Sequence, residues 1–317
     1  MKQLAPHKHS TLPAIEEGWF EISYAALAGC ELARLEGTFD INAALSEHQR
    51  KTLAGQNLGP WPRPPAGTQN RIQVFDGRAI TPGPRFADFA LFPIFDRLSD
   101  GSWIVTDGRL FPGQATNAKL IAENGSVISD VNLGDAIQHL QSDSEGGFWV
   151  GYFDEGIFGD TLGAAGINRF DASGTITFPV GEPYHDGWPL PRISDCDALN
   201  VTSDAVWICP YTDFPISRIG FDGNVRTWSN DKQGASLLAV DGEFIVLLGG
   251  YDNEKRHGAL LRLEETSARE MAEFEIGIDI DDFRNLPYAG ARKDTFHFVH
   301  DRDWLQLRVR DIAAALL

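Results

Sequence analysis

The chain has 317 residues, 43% of them hydrophobic and 23% charged, which is enough apolar material for a sizeable core and unlike a disordered polymer. Its 27 Lys and Arg against 45 Asp and Glu leave a formal net charge of −18, which argues against nucleic acid as a partner, because binding to phosphate backbones relies on clustered cations. No run approaches the roughly 18 uninterrupted apolar residues that a membrane-spanning helix needs.

Met1 to Pro13 reads as a mobile terminus ahead of a single domain over residues 14–317. The opening residues carry no apolar segment after their basic positions, so no secretion signal is expected and a cytoplasmic setting is the default. Cys30, Cys196 and Cys209 are odd in number, lack metal-ligand spacing and read as free thiols.

Trp19 to Tyr24 is strand-like, and Ala25 to Glu36 suits a strand or a short helix. Asp40 to Leu53 has the best helical pattern in the chain, and a Pro-rich loop, Gly59 to Gly67, follows it. Arg71 to Phe75 returns to strand character and ends at the turn pair Asp76-Gly77.

A repeat then becomes visible. Each unit has a strand ending in an acidic turn, an aromatic-led second strand, a variable loop and a third strand carrying a basic residue. The leading aromatics are Trp103, Trp149, Trp207, Phe244 and Phe296, and the basic residues are Lys119, Arg169, Arg218, Arg262 and Arg308. The clearest copy is Ser142 to Gly159, SDSEGGFWVGYFDEGIFG. Turn residues follow the third strands at Asn124-Gly125, Asp171 to Gly174 and Asp222-Gly223. Spacings between the aromatics are uneven but fall in the range of one propeller blade.

Runs such as FWVGYF and FIVLL are apolar at successive positions, so both faces of these strands must be covered. Stacking four-stranded sheets around an axis does this. The expected fold is therefore all-β: a single β-propeller of six blades, with seven as the alternative, closed by an N-terminal strand. That strand is expected from the segment around Ile15 to Ile80, because the last unit ends after its third strand.

The stretches WVGYFDEGIFG (149–159), GINRFDASG (166–174), SDCDALNV and VWICPYTDFP (194–215) resemble an uncharacterised bacterial β-propeller family of actinobacterial type, and the repeat is similar to sensor-type short-repeat propellers. The resemblance implies the fold and a bacterial origin and brings no activity with it.

In a propeller, the connections from second to third strand and from blade to blade emerge on one face. That face is expected to receive Asp107, Arg109, Tyr152, Asp154, Glu155, Tyr211, Asp213, Tyr251, Asp252, His300 and Asp301. The loop Gly181 to Asp197 adds Tyr184, His185, Asp186, Trp188, Asp195 and Asp197, and Asn200 is placed on the innermost strand lining the channel.

Carboxylates beside aromatics suit a polar or cationic ligand, so the expectation is a cytoplasmic binding module for a small molecule, peptide or protein, without catalysis or cofactor. The alternative is a divalent-metal-dependent hydrolase or lyase of the gluconolactonase-like kind. There Asp154, Glu155, Asp197, Asn200 and Asp213 would surround calcium or another divalent cation at the channel. No GxSxG, GxxxxGK[ST], HExxH or helix-opening GxGxxG pattern is present. Scattered metal ligands would leave no such local signature.

Overall fold

The first strands of six sheets stand side by side in a closed ring: in the computed structural model each touches the next, and the last returns to the first. The structure describes residues 1–317 apart from 57–59, 88–89, 160–161, 180–182, 186, 252–255 and 279–285. Two N-terminal strands, β1 (Lys2–Leu4) and β2 (His7–Thr11), precede the first blade. Blade 1 contains β3 (Phe20–Ala26), β4 (Leu32–Gly37), β5 (Gln69–Phe75) and β6 (Ile80–Ala87), with helix α1 (Ile41–Leu53) inserted between β4 and β5. Blade 2 contains β7 (Pro93–Arg97), β8 (Trp103–Asp107), β9 (Ala118–Ile121) and β10 (Val127–Val131).

Blade 3 contains β11 (Ile137–Ser142), β12 (Phe148–Tyr152), β13 (Ile167–Phe170) and β14 (Ile176–Phe178), with a one-turn helix α2 (Asp154–Gly159) after β12. Blade 4 is β15 (Asp195–Val201), β16 (Ala205–Tyr211), β17 (Ile216–Gly220) and β18 (Val225–Trp228). Blade 5 is β19 (Leu237–Asp241), β20 (Phe244–Leu248), β21 (His257–Leu263) and β22 (Ala268–Ile276). Blade 6 is β23 (Tyr288–Arg292), β24 (Thr295–His300) and β25 (Asp303–Arg308), and helix α3 (Val309–Leu316) ends the chain.

The six-bladed propeller expected from the repeat is the fold observed. The leading aromatics fall within the first three residues of the five expected second strands, β8, β12, β16, β20 and β24. The core lies between blades rather than at the axis. Trp103 packs with residues of blades 1 and 2, Trp149 stacks on Phe221 of blade 4 at 6.4 Å, and Phe296 packs with blades 5 and 6. The whole of β12 is buried, as a strand covered on both faces must be.

The basic residue of the third strand now has a structural meaning. In blades 3 to 5 it reaches back to the acidic turn between the first two strands, as Arg169 does to Asp143 at 2.7 Å, Arg218 to Asp204 at 2.7 Å and Arg262 to Glu243 at 2.8 Å. In those blades the acidic turn and the basic third-strand residue are the two ends of one ion pair, whereas Lys119 of blade 2 pairs with Asp130 on the fourth strand at 2.6 Å.

The N-terminus departs from expectation. Residues read as a mobile end instead supply the outer strand of blade 6, because β2 pairs antiparallel with β25, and β1 adds a parallel fifth strand to blade 5 beside β22. The closing strand therefore lies upstream of the segment around Ile15 to Ile80. The segment HKHST lacks an apolar alternation because an outermost strand is largely exposed, so hydrophobic patterning gives no signal there. Leu12 follows it and is 1% exposed, anchored by its amide to the Arg302 carbonyl at 2.8 Å.

At one end the channel is crossed by polar bonds between inner strands. The Asp96 carboxylate of β7 accepts from the Ser142 amide and hydroxyl of β11 at 2.7 and 2.9 Å, and Arg292 of β23 lies 3.2 Å away. This is the lower end. The other face, where second-to-third-strand and inter-blade connections emerge, is the upper face. No helix among the described residues is long and apolar enough to cross a membrane.

Candidate functional site on the upper face

Over blades 1 to 3 the upper face holds a cavity of about 610 Å³. Its apolar wall includes Ile22, Trp61, Leu91, Phe92, Ile94 and Phe153, contributed by an inner strand or a connection of each of the three blades. The long connection containing α1 brings in Trp61, which stacks on His48 at 4.7 Å and meets Phe92 edge-on at 5.7 Å. The helix starts where the Asp40 carboxylate accepts from the Ala43 amide at 2.9 Å, and Asn42 in its first turn donates to the Glu21 and Ile22 carbonyls, tying the connection to β3.

Asp107, at the end of β8, holds the opposite wall. Its carboxylate accepts from the amides of Leu91 and Phe92 at 2.8 and 3.2 Å and from Arg109 at 3.2 Å. Burial raises its pKa against the pull of those amides. Arg109 edges the cavity, 5.7 Å from the Phe153 ring, with both charges opposite it supplied by the protein: Asp135 at 2.9 Å and Glu155 at 2.7 Å. One wall hydroxyl, Ser23 Oγ, is buried without a hydrogen-bond partner.

A second, acidic group lies at the top of blade 4. Asp195 and Asp197 leave β15 at alternate positions, the spacing that sends side chains to one face of a strand, although a bulge interrupts the register between Asp195 and Ala198. Burial, then the nearby Asp154 charge, pushes Asp195 up to about 6; burial, then Asp195, pushes Asp197 up to about 7. Asp195 Oδ1 and Asp197 Oδ2 are buried without a hydrogen-bond partner. Beside them Tyr211 packs on Phe214 at 5.5 Å and Phe214 on Tyr251 at 6.1 Å. The Tyr251 hydroxyl is raised by burial and then by Asp197, Tyr211 and Asp195, so these four residues form one electrostatic neighbourhood.

The remaining expected site residues are dispersed. Tyr152 is not on the loop face: it is 0% exposed, and its hydroxyl donates to the Leu133 carbonyl at 2.6 Å. It shares one face of β12 with Phe148 and Val150, on a strand buried on both faces. Asp154 opens α2 in the exposed position expected of it, and Glu155 is engaged with Arg109. Asp213 is exposed and adopts φ 65 in the tight loop after β16, a backbone role that Asp tolerates. His185 is exposed and meets Trp188 edge-on at 5.6 Å. Asp186 and Asp252 lie outside the described residues.

Asn200 does not line an open channel. Fully buried, it donates to the Leu238 and Lys293 carbonyls at 2.9 and 2.7 Å and accepts from the Lys293 amide at 2.8 Å, joining blades 4, 5 and 6. The proposed metal set therefore does not come together: Asn200 is spent on backbone and Glu155 on Arg109. Among the described residues no three His, Cys, Asp or Glu side chains form a group able to hold a metal ion.

Sequence reasoning missed the apolar cavity and also His139. His139 Nε2 donates to the Asp197 carbonyl, 3.2 Å away, and burial lowers its pKa to about 4. The cavity had one local signal, the isolated Trp61 in a Pro-rich loop, but its partners lie far along the chain.

No protein-family model matches the chain, and no curated protein matches it. Among solved structures, a functionally unknown protein from Desulfotomaculum acetoxidans is 11% identical with a TM-score of 0.54, over 90% of this chain and 81% of that one. A catalytically inactive virginiamycin B lyase from Staphylococcus aureus, with quinupristin, is 12% identical with a TM-score of 0.45, over 94% and 97%. A candidate gluconolactonase is 10% identical with a TM-score of 0.44, over 96% and 91%. Likeness at these identities extends to the fold, and the chain is a β-propeller.

Proposed function

We propose that the protein is a binding propeller whose upper face takes a small organic molecule with an apolar, ring-sized body. The observation that carries this reading is the cavity of about 610 Å³, lined by aromatic and aliphatic side chains from three blades. Its volume lies within the range of small-molecule sites, and its few polar groups are positioned by the fold rather than by a ligand. Because Asp135 and Glu155 already neutralise Arg109, the cavity favours an uncharged body. Ser23 Oγ offers one hydrogen bond. Three free cysteines accord with the cytoplasmic setting included in this reading.

The test uses Nile red, an uncharged dye, as an apolar probe. Saturable binding near one site per chain, lost in Trp61→Ser and Phe153→Ser, is expected. Binding that is unsaturable, or indifferent to both substitutions, would overturn the reading.

One observation favours a second reading, acid–base catalysis of a hydrolase or lyase kind. Asp195 and Asp197 are adjacent, raised to about 6 and about 7, and each keeps an unpartnered buried oxygen, so near neutral pH the pair holds a transferable proton. Under this reading an ester and lactone screen yields turnover that Asp197→Asn abolishes. Turnover unchanged by that substitution rejects it.

A further inference from the structure

The lower mouth of the channel carries a pocket of its own, of about 380 Å³, enclosed by the turns after the first strands of five blades. Its polar lining includes Arg97, Ser99, Asp143, Ser203, Arg292 and Lys293. Three cations meet at this mouth in a chain of net charge −18.

Two of the three are neutralised. Arg97 Nη2 binds both Glu31 oxygens at 2.7 and 2.9 Å, and Arg292 is paired with Asp96 at 3.2 Å. Asp143, the carboxylate on the wall, is held by Arg169 at 2.7 Å. Nearby acids are also engaged, Asp204 with Arg218 at 2.7 Å and Asp294 with the Thr295 hydroxyl at 2.9 Å.

Lys293 differs. Among the described residues its ammonium is bonded to a carbonyl, that of Ala28 at 2.5 Å, and not to a carboxylate. Its backbone is fixed on both sides by Asn200 and adopts φ 54, a conformation disfavoured for a lysine, so the side chain is aimed across the mouth from blade 6 to blade 1. Beneath it Arg292 Nε is buried without a hydrogen-bond partner, in a residue 3% exposed. The Ser144 hydroxyl already donates to the Ser203 carbonyl at 3.2 Å. A buried, unused donor beside an ammonium without a carboxylate partner and the Ser99 and Ser203 side chains is an arrangement that an oxyanion completes.

We propose that this lower mouth binds a small organic monocarboxylate, with Lys293 as its charge partner. A single uncompensated positive charge matches a single negative one, whereas a phosphate dianion would bring a second charge into a strongly acidic molecule without a counterion. The pocket exceeds the carboxylate alone, so the rest of the ligand extends along Ser99, Ser144 and Ser203. The site lies on the face opposite the apolar cavity and stands independently of the function proposed there.

Isothermal titration of the full chain at low ionic strength with pyruvate, acetate and inorganic phosphate tests this. Saturable binding of pyruvate or acetate is expected, weakened about tenfold or more in Lys293→Met, largely retained in Lys293→Arg, and reduced by added salt. If Lys293→Met does not fold, Ser99→Ala with Ser203→Ala serves as the second variant, with weaker pyruvate binding expected. Absence of saturable carboxylate binding to the wild type overturns the proposal, as do affinities unaffected by the substitutions and binding of phosphate without either carboxylate.

Discussion

Asn200 and Lys293 exchange two hydrogen bonds across blades 4 and 6, Asn200 Nδ2 to the Lys293 carbonyl at 2.7 Å and the Lys293 amide to Asn200 Oδ1 at 2.8 Å. The residues are far apart in sequence, and Asn200 is fully buried while Lys293 is half-buried. Asn200→Ala leaves the Lys293 amide and the Leu238 carbonyl without this partner in a buried setting. We expect a loss of about 2–3 kcal/mol in chemical denaturation, the cost of stranding buried polar groups. Asn200→Ala with unchanged stability would show that water replaces the clasp.

The closing strand predicts a second outcome. Leu12 follows β2 and packs with residues of blades 1 and 6, with Arg302 Nε and Nη2 donating to its carbonyl at 3.1 and 3.0 Å. Leu12→Ala removes a buried side chain and should cost about 2–4 kcal/mol. Removing residues 1–12 takes away β2 altogether, exposing the edge of β25 and the Trp304 ring that His9 covers at 4.3 Å. The truncated protein is expected to melt well below the full chain and to associate at micromolar concentration. A truncated chain that melts like the full one would contradict the closure.

The blades were legible because their signal is local. Aromatic-led second strands, basic third strands and Gly-containing turns fall within short windows, and the helix at Ile41–Leu53 announces itself through periodicity and the Asp40 cap. What escaped depends on partners distant in sequence. Trp61, Phe92 and Phe153 meet only after three blades are stacked, and Asn200 finds Lys293 only when the ring closes. The burial of Tyr152 had no local signal: both faces of β12 are covered, so parity along the strand does not separate inside from outside, and the acidic loop beside it suggests a surface.

Two histidines, His297 fully buried and His139 half-buried, predict acid lability. Burial holds His139 down to about 4, and burial, then His9, Arg292 and Arg308, hold His297 down to about 3, where Trp304 Nε1 donates to its Nδ1 at 3.1 Å. The unfolded chain takes up protons on these side chains from about pH 6.5 downward while the folded chain does not, so each drains stability as pH falls from there toward its folded value. The acid limb of the stability curve should flatten in His297→Gln, after allowance for its lower stability at neutral pH. An acid limb identical to that of the wild type would place the lability elsewhere.

Asp195 and Asp197 act in the opposite sense. With folded values raised to about 6 and about 7, their stabilising protonation is complete below the ordinary carboxylate range and is lost as pH rises through those values. At neutral pH the folded protein therefore bears the strain of two adjacent, partly buried carboxylates. Asp197→Asn removes the charge and keeps the shape. It should raise stability at pH 7.5 by about 1–2 kcal/mol, discounted for partial solvent access, with the gain shrinking toward zero near pH 4. Denaturant midpoints of wild type and Asp197→Asn at the two pH values measure this. A gain of equal size at both would mean that packing rather than charge distinguishes the variants, and a loss at pH 7.5 would mean that the ionised pair is held by contacts that favour it. The same substitution bears on the second functional reading. A more stable but inactive Asp197→Asn protein would link the stored strain at the top of blade 4 to chemistry done there.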